Sequence, residues 1–240
     1  MFNALLAGLE QAFEGQKSFL AHASHELRTP LTTLTGTLET ALAYDTTLPE
    51  ARQSLARSLD AARHLSALTN GLLSLARADG ALPAFVPVRL DECLNQALAF
   101  ARAKYPGREW RLSFGDFPAD TEDDLFTLPG NAELLTTALF NLLDNAGKYS
   151  TGPVQTELAY ADATTLRVRV TDTGVGLSAE ELSRIYEPLY RTAGALGHAG
   201  YGLGLPLTKR VVQRHGGQLQ FESAPGQGTS ATVLLPVGPA

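Results

Sequence analysis

The sequence predicts an α+β fold in which an N-terminal helical hairpin precedes an α/β sandwich. One observation is a leucine-rich stretch that ends near Ala78 and has no glycine between Gly36 and Gly71. Another is the linker Asp79-Gly80-Ala81-Leu82-Pro83, which is rich in turn-forming residues. Beyond it, short strand and helix candidates mix without a strict β-α-β rhythm, which favours a sandwich over a doubly wound sheet.

Two leucine stripes define the hairpin. In the first helix the apolar positions step by three or four residues, at Leu27, Leu31, Leu34, Leu38 and Leu42. In the second they do much the same, at Leu55, Leu59, Ala62, Leu65, Leu68, Leu72 and Leu75. Residues 45–49 interrupt the pattern, and Pro49 suits the first turn of the second helix. Because two helices cannot enclose a core alone, this near-heptad spacing favours a dimeric four-helix bundle.

The region after the linker alternates between segments with strand periodicity and segments with helix periodicity. Its strand candidates are residues 85–88, 111–114, 154–160, 166–171, 218–222 and 230–235. Its helix candidates are residues 91–104, 132–148 and 206–215. The glycine-rich segment 194–204 is predicted to be a loop.

Composition excludes several classes of function. The net charge of −6 gives no reason to expect nucleic-acid binding. Cys93 is the only cysteine, so an internal disulfide and a cysteine metal cluster are excluded. No apolar run approaches the roughly 20 residues needed to cross a bilayer.

A histidine next to a carboxylate stands on the first helix. His25 lies well away from the leucine stripe and should be exposed, and Thr29 shares its face. Glu26 could hydrogen-bond one ring nitrogen and leave the other free to attack phosphorus. Pro30 cannot donate to the Glu26 carbonyl, so a bend is expected there. An ordinary surface histidine is the alternative interpretation.

Polar residues follow one face of the helix near residues 132–148. Asn141 and Asn145 are one turn apart, and an amide oxygen is a hard ligand that suits Mg²⁺. Lys148 adds a cation that phosphates could meet, and Tyr149 adds an aromatic wall.

Two glycine-containing segments complete a candidate nucleotide site. In the first, Asp172 can accept a hydrogen bond from the exocyclic amine of adenine, while Gly174 and Gly176 permit close approach or positive φ. A strand-ending turn explains this segment equally well. The second segment, Gly200-Tyr201-Gly202-Leu203-Gly204, leads into a helix whose N-terminus could bind phosphate.

Taken in order, these segments resemble the sequence boxes of bacterial two-component sensor histidine kinases. Ser24-His25-Glu26-Leu27-Arg28-Thr29-Pro30-Leu31 looks like the H-box and residues 141–150 look like the N-box. Residues 172–177, 200–205 and 226–229 look like its glycine boxes. Residues 185–191 look like its phenylalanine box, with Tyr186 and Leu189 in place of the phenylalanines.

The resemblance implies a role for each matching residue. His25 would be the phosphoacceptor and Glu26 its activating base, while Thr29 matches an E-x-x-T pattern used to dephosphorylate the partner. Asn145 would bind Mg²⁺ beside Asn141. Lys148 and Arg191 would contact the phosphates of ATP. Tyr149 would pack near the base, and Asp172 would bind adenine with Thr229 assisting through water. The nucleotide-binding turns would contain Gly174, Gly176, Gly200, Gly202, Leu203 and Gly204. Residues 192–200 would form a lid over ATP.

The resemblance also implies an organisation. Residues 1–13 look like the end of a HAMP linker, residues 14–80 like the dimerisation and phosphotransfer domain, and residues 81–240 like a Bergerat-type ATP-binding domain. We therefore expect the cytoplasmic part of a bacterial inner-membrane sensor, attached to the membrane only through segments outside this chain. A kinase without a membrane anchor is the alternative.

The expected function is autophosphorylation of His25 by Mg²⁺-ATP in a homodimer, followed by transfer to an aspartate of a response regulator, together with dephosphorylation of that regulator. Two alternatives remain open on the sequence alone: an ATPase of the same fold, and a dimeric scaffold that binds ATP without catalysis.

Overall fold

The computed structural model describes residues 2–79, 85–115, 125–195 and 200–238. The chain divides into two compact units, Met1–Ser74 and Leu75–Ala240. None of the helices in the described ranges is long and apolar enough to span a bilayer.

Two long helices form the first unit, as the leucine stripes predict. Helix α1 runs over Phe2–Tyr44 and continues through Pro30, and α2 runs over Leu48–Asp79. The Glu50 carboxylate accepts hydrogen bonds from the backbone N–H groups of Thr46 at 3.2 Å and Thr47 at 3.0 Å. The Thr47 hydroxyl in turn accepts from the Glu50 N–H. This reciprocal cap fixes the start of α2, with Pro49 in its first turn.

Much of the leucine stripe is exposed within a single protomer. Leu31 is 48% exposed and Leu55 is 61% exposed. Exposed leucines also include Leu38, Leu42, Leu48 and Leu59. A stripe of this kind supplies apolar area that a second helical pair can bury.

A mixed five-stranded sheet underlies the second unit. Its strands stand in the order β2-β4-β5-β7-β6, with β2 and β4 parallel and the other neighbours antiparallel. Strands β1 and β3 form a separate antiparallel pair. The strands are β1 (Val86–Arg89), β2 (Trp110–Phe114), β3 (Thr127–Gly130), β4 (Val154–Asp162), β5 (Thr165–Asp172), β6 (Gln218–Ser223) and β7 (Thr229–Pro236).

One face of this sheet packs against helices, so the unit is a sandwich. The helices are α3 (Leu90–Lys104), α4 (Ala132–Tyr149), α5 (Ala179–Arg184) and α6 (Gly204–Arg214). Along β5 the residues Leu166, Val168 and Val170 are buried in the same core as the apolar faces of α3, α4 and α6. Arg167 and Arg169 alternate with them on the opposite face, as strand geometry requires.

The sequence predicts these elements to within two residues at their ends but misses two of them. Strand β3 contains Pro129 and Gly130, which are typical of turns, and it is stabilised by pairing with β1. Helix α5 is short, and its stability comes from a capping box between Ser178 and Glu181.

A buried histidine connects the C-terminal end of α6 to the start of α4. The Nε2 atom of His215 accepts a hydrogen bond from the Asn131 backbone N–H at 3.0 Å, so the proton of the neutral ring lies on Nδ1. That nitrogen is 2.7 Å from the Val211 carbonyl and donates to it. The ring stacks on Phe85 with centroids 4.5 Å apart. Asn131 caps α4 by accepting from the Leu134 N–H.

Burial lowers the pKa of His215, which makes the stability of the second unit depend on pH. The unfolded chain binds more protons here than the folded chain once the pH falls below about 6.5, the ordinary histidine value. We therefore expect full stability above that pH and a loss as the pH drops below it. Urea unfolding at about pH 8 and about pH 5.5 measures the loss.

The matched pair of variants is His215→Gln and His25→Gln. The first removes the buried titrating ring, and the second removes a ring whose side chain is 75% exposed. His215→Gln should flatten the acid loss of stability, whereas His25→Gln should keep it. An undiminished acid loss in His215→Gln would contradict this account.

Candidate active site

Helix α4 turns its polar residues to one side and its leucines to the core. The helix buries Leu135, Leu139, Leu142 and Leu143 completely or nearly so. Its polar face keeps some exposure at Asn141, Asn145, Lys148 and Tyr149. The Asn141 side-chain amide donates to the Gly204 carbonyl at 3.3 Å, which joins α4 to the first residue of α6. Within the described ranges the Asn145 amide has no hydrogen-bond partner, so its oxygen is available to a ligand.

Lys148 pairs with a carboxylate one turn earlier in α4. Its Nζ atom is 2.5 Å from Asp144 Oδ2, and both side chains are about nine-tenths buried, at 13% and 12% exposed. Lys104 Nζ is 2.6 Å from Asp144 Oδ1, and the Tyr105 hydroxyl donates to the same oxygen at 2.8 Å. Burial alone would raise the pKa of Asp144, but the hydrogen bonds from the two lysines outweigh it and the pKa is lowered.

The glycine-rich segment lies close to this lysine. A Cβ atom on Gly200 would be 3.3 Å from Lys148 Nζ. The Arg191 guanidinium donates to the Ala195 carbonyl. Burial raises the pKa of Tyr149, and the charge of Arg191 opposes that rise, so Arg191 lies near Tyr149. These contacts place four residues close together at the end of α4: Lys148, Tyr149, Arg191 and Gly200.

Asp172 ends β5 in a buried position. Its Oδ1 accepts the Gly174 N–H at 2.8 Å, and across the ladder it is paired with Thr229 in β7. Burial raises the pKa of Asp172, against hydrogen bonds from the Gly174 and Thr229 backbones and the charge of Arg108. One oxygen is therefore fixed by the turn. A Cβ atom on Gly174 would collide with the Tyr149 carbonyl, so this turn lies against the end of α4.

Two glycines are required by backbone geometry. Gly176 and Gly202 both have φ of 66°, in the left-handed region that other residues rarely adopt. A side chain on Gly176 would collide with the Ala224 carbonyl, and one on Gly202 would collide with the Tyr190 carbonyl. The Gly202 carbonyl also accepts the Leu189 N–H at 3.1 Å, so the segments before and after the loop are joined.

Local contacts and backbone geometry describe the two residues that replace phenylalanine, Tyr186 and Leu189, and the proline that follows the glycine segment 200–205. The Tyr186 hydroxyl donates to the Leu219 carbonyl at 3.2 Å, a bond that phenylalanine could not make. Lys209 Nζ lies 4.2 Å from the centroid of the same ring. Leu189 has φ of 68°, which is strained for a leucine. Pro206 stands in the first turn of α6, where a missing N–H costs little.

The histidine on α1 is exposed, as expected from the sequence. His25 Nδ1 lies 3.6 Å from Glu26 Oε1, and the side chains are 75% and 52% exposed. The Thr29 hydroxyl donates to the His25 carbonyl at 3.3 Å, one turn along the same face. These three residues belong to the first unit, and the nucleotide-site residues belong to the second.

Comparison with known proteins matches both units. Residues 16–81 match the His Kinase A (phospho-acceptor) domain. Residues 130–239 match the family of histidine kinase-, DNA gyrase B-, and HSP90-like ATPases. Together these matches identify a two-component histidine kinase region.

Curated relatives of this kinase cover nearly all of it. The signal transduction histidine-protein kinase/phosphatase MprB of Mycolicibacterium paratuberculosis is 33% identical over 247 residues, 98% of this chain and 46% of that protein. The protein of the same name from Mycobacterium tuberculosis is also 33% identical, over 98% of this chain and 47% of its own length. The chain thus spans about half the length of these relatives.

Solved structures of other histidine kinases share the fold. A mycobacterial sensor histidine kinase MprB aligns with a TM-score of 0.56 and 28% identity, over 65% of this chain and 100% of that one. Full-length ShkA in complex with AMPPNP aligns with a TM-score of 0.65 and 26% identity, over 92% of this chain and 46% of that one. Acinetobacter baumannii AdeS has the same fold at 17% identity and a TM-score of 0.65, over 90% of this chain and 98% of that one.

Arg108 supports the end of α4 in this kinase, and no sequence motif identifies it. Its guanidinium donates to the Gly147 carbonyl at 3.1 Å and to the Gly152 carbonyl at 3.3 Å. These bonds fix the last turn of α4 against the start of β4, immediately beside Lys148 and Tyr149. Nothing in the local pattern around Arg108 identifies it, because both acceptors are about forty residues away in sequence.

Arg108→Met should lower the free energy of unfolding by about 1–3 kcal/mol, because two half-buried carbonyls lose a charged donor. ATP affinity should fall as well, because Lys148 and Tyr149 lose their support. Urea unfolding and calorimetric titration measure the two effects. Arg111→Met is the control, because within the described ranges Arg111 makes only an exposed ion pair with Glu109. This substitution should change the free energy of unfolding by less than about 1 kcal/mol. Equal effects of the two substitutions would contradict the role of Arg108.

Proposed function

We propose that this chain phosphorylates its own His25 with ATP and passes the phosphoryl group to an aspartate of a response regulator. The observation that carries the proposal is the combination of an exposed His25–Glu26 pair on a helix with a half-buried polar face of α4 that ends beside buried Asp172. The matches to a phospho-acceptor domain and to an ATPase family support both halves.

Adenine fits the Asp172 end of the site. The Asp172 carboxylate accepts from the Gly174 and Thr229 backbones, which leaves acceptor capacity for the exocyclic amine of adenine. Thr229 is its ladder partner and can assist through water, and Tyr149 supplies an aromatic surface near the base. The relative ShkA was solved in complex with AMPPNP, an ATP analogue, which supports ATP as the ligand.

Phosphates fit the other end. Lys148 and Arg191 provide positive charge, while Gly200, Gly202 and Gly204 allow backbone N–H groups to approach closely. Leu203 precedes α6, whose N-terminal dipole also favours an anion.

Magnesium fits the amide of Asn145. Asn145 would hold Mg²⁺ through its side-chain oxygen, a hard donor without a competing partner in the described ranges, with Asn141 beside it. A bound Mg²⁺ supplies charge neutralisation at the phosphates. Asn141 itself is engaged with the Gly204 carbonyl, so its role is to keep α6 against α4.

The geometry of His25 indicates which nitrogen attacks. Glu26 lies nearest Nδ1, so Nδ1 keeps its proton oriented toward the carboxylate and Nε2 carries the free lone pair. A new N–P bond forms at Nε2 while the bond from the γ-phosphorus to the bridging oxygen breaks and ADP leaves. The imidazole gains positive charge in this step, and Glu26 stabilises that charge.

The proposed kinase is a homodimer and part of a larger sensor protein. The exposed leucines of α1 and α2 support a homodimer that forms through residues 14–80. In the same proposal, residues 81–240 are the ATP-binding domain and residues 1–13 are the end of a HAMP linker. The relatives are about twice as long as this chain, which is consistent with the cytoplasmic part of a bacterial inner-membrane sensor.

Two variants separate the acceptor from the nucleotide site. With γ-labelled ATP, His25→Gln should abolish acid-labile label on the protein while ATP affinity stays nearly unchanged, because His25 belongs to the other unit. Asp172→Asn should weaken ATP binding more than tenfold, since one charge-assisted hydrogen bond contributes about 1.5–3 kcal/mol. Calorimetry and labelling measure the two results.

The outcomes distinguish the alternatives. Free phosphate without label on the parent chain would indicate an ATPase, and binding without either product would indicate a scaffold. Label that persists in His25→Gln would mean that another residue is the acceptor.

A second activity, dephosphorylation of the regulator, is favoured by the names of the relatives and by Thr29. The relatives are named histidine-protein kinase/phosphatase. Thr29 is exposed one turn from His25, and among the described residues its hydroxyl is bonded only to the His25 carbonyl. It could turn to hold a water in line with a phospho-aspartate.

Thr29→Ala should leave autophosphorylation largely intact and slow decay of the phospho-regulator by roughly tenfold to a thousandfold, as expected for the loss of a positioning contact. Thr33→Ala is the matched control, because Thr33 is exposed on the same helix and bonds the Thr29 carbonyl in the same way. Decay of purified phospho-regulator is the measurement. Equal decay with both variants would exclude the phosphatase role of Thr29.

A further inference from the structure

Asp144 is contacted by two lysines and a tyrosine hydroxyl. Its two oxygens contact different partners: Lys148 at Oδ2, and Lys104 with the Tyr105 hydroxyl at Oδ1. The side chain is 12% exposed, so a carboxylate left there without a cation would be costly. With two lysines on one carboxylate, either lysine can leave while the other still neutralises the charge.

The two lysines are not equivalent. Lys148 is 13% exposed and lies beside Gly200, on the side where phosphates are expected. Lys104 is 47% exposed and belongs to α3, and its Nζ lies 5.6 Å from the centroid of Tyr105 and 5.7 Å from that of Phe140. These rings hold the Lys104 ammonium at its place on Asp144. Lys148 is therefore the partner that can turn away, and Lys104 is the one that stays.

A phosphate and Asp144 compete for the same ammonium. The Lys148 ammonium has three N–H donors, but its 2.5 Å contact with Asp144 holds it toward that carboxylate and opposes its movement toward an oxygen of ATP. The competition is mildest when another cation already stabilises Asp144. This reasoning rests on the proposed function, because it takes Lys148 as a phosphate contact.

We propose that Asp144, Lys104 and Tyr105 form an exchange site for Lys148. Asp144 holds the Lys148 ammonium in position before nucleotide binds, and Lys104 and Tyr105 keep the carboxylate satisfied after the ammonium moves to the phosphates. Asp144 and Lys104 are thus positioning residues, and neither contacts the nucleotide.

The test is a double-mutant cycle on ATP affinity, measured by calorimetry on the full chain. Lys104→Met leaves Lys148 as the only cation on Asp144, so ATP affinity should fall roughly threefold to tenfold, within the range for residues in one charged network. In an Asp144→Asn background the same Lys104→Met change should have no effect. Asp144→Asn alone should bind ATP at least as tightly as the parent.

Three controls fix the interpretation. Arg102→Met removes the same charge from an exposed position of the same helix and should leave ATP affinity unchanged. Lys104→Arg keeps a cation and should restore most of the affinity. Adenosine, which lacks phosphates, should bind all these variants equally, and this also shows that the adenine pocket remains folded.

Each contrary result has a distinct meaning. An equal loss from Lys104→Met in both backgrounds would overturn the exchange, because Lys104 would then act on ATP independently of Asp144. Unchanged ATP affinity in Lys104→Met would overturn it as well. Lys148→Met with unchanged ATP affinity would remove the proposed phosphate contact itself, and the exchange with it, while leaving the roles of His25 and Asp172 in place.

Discussion

The packing of α4 is the constraint on which the site depends. Leu135, Leu139, Leu142 and Leu143 are buried almost completely, and burying each such side chain contributes about 1.5–3 kcal/mol. Because residues three and four apart share a helix face, burying these leucines fixes the direction of Asn141, Asn145 and Lys148. The nucleotide-site side chains therefore inherit their orientation from the core.

Both ends of α4 are fixed by contacts from distant parts of the chain. At its start, the Asn131 N–H donates to His215, and the Asn131 side chain accepts from the helix. At its end, Arg108 binds the carbonyls of Gly147 and Gly152. Neither contact touches a proposed ligand, yet each limits how far the polar face can shift relative to Asp172. A site held this way is preorganised by hydrogen bonds outside it.

The sequence predicts the parts of this kinase that local periodicity determines. The leucine spacing identifies α1 and α2, and the short motifs identify the candidate site residues on α4 and at the end of β5. What the sequence could not predict depends on distant contacts. The sequence of strand β3 is typical of a turn, and the strand is stabilised by its pairing with β1. The partners of Asp144 at the end of α3, Lys104 and Tyr105, lie some forty residues earlier in the chain. Motif residues can be found by spacing, whereas the residues that hold them in place need the fold.

The proposed reacting groups of the two units differ in how deeply they are buried. The His25–Glu26 pair is largely exposed, so solvent screens its electrostatic attraction and the pair contributes little to stability. That exposure suits an acceptor that must meet two reactants in turn, ATP and then a regulator. The charge on the phosphates needs the opposite environment, because cations act most strongly where water is limited. Lys148 is only 13% exposed, and its contact with Asp144 at 2.5 Å offsets the cost of burying its charge. In the proposed exchange, Asp144 balances the buried charge of Lys148 before nucleotide binds, and Lys104 lets that cation move to the phosphates.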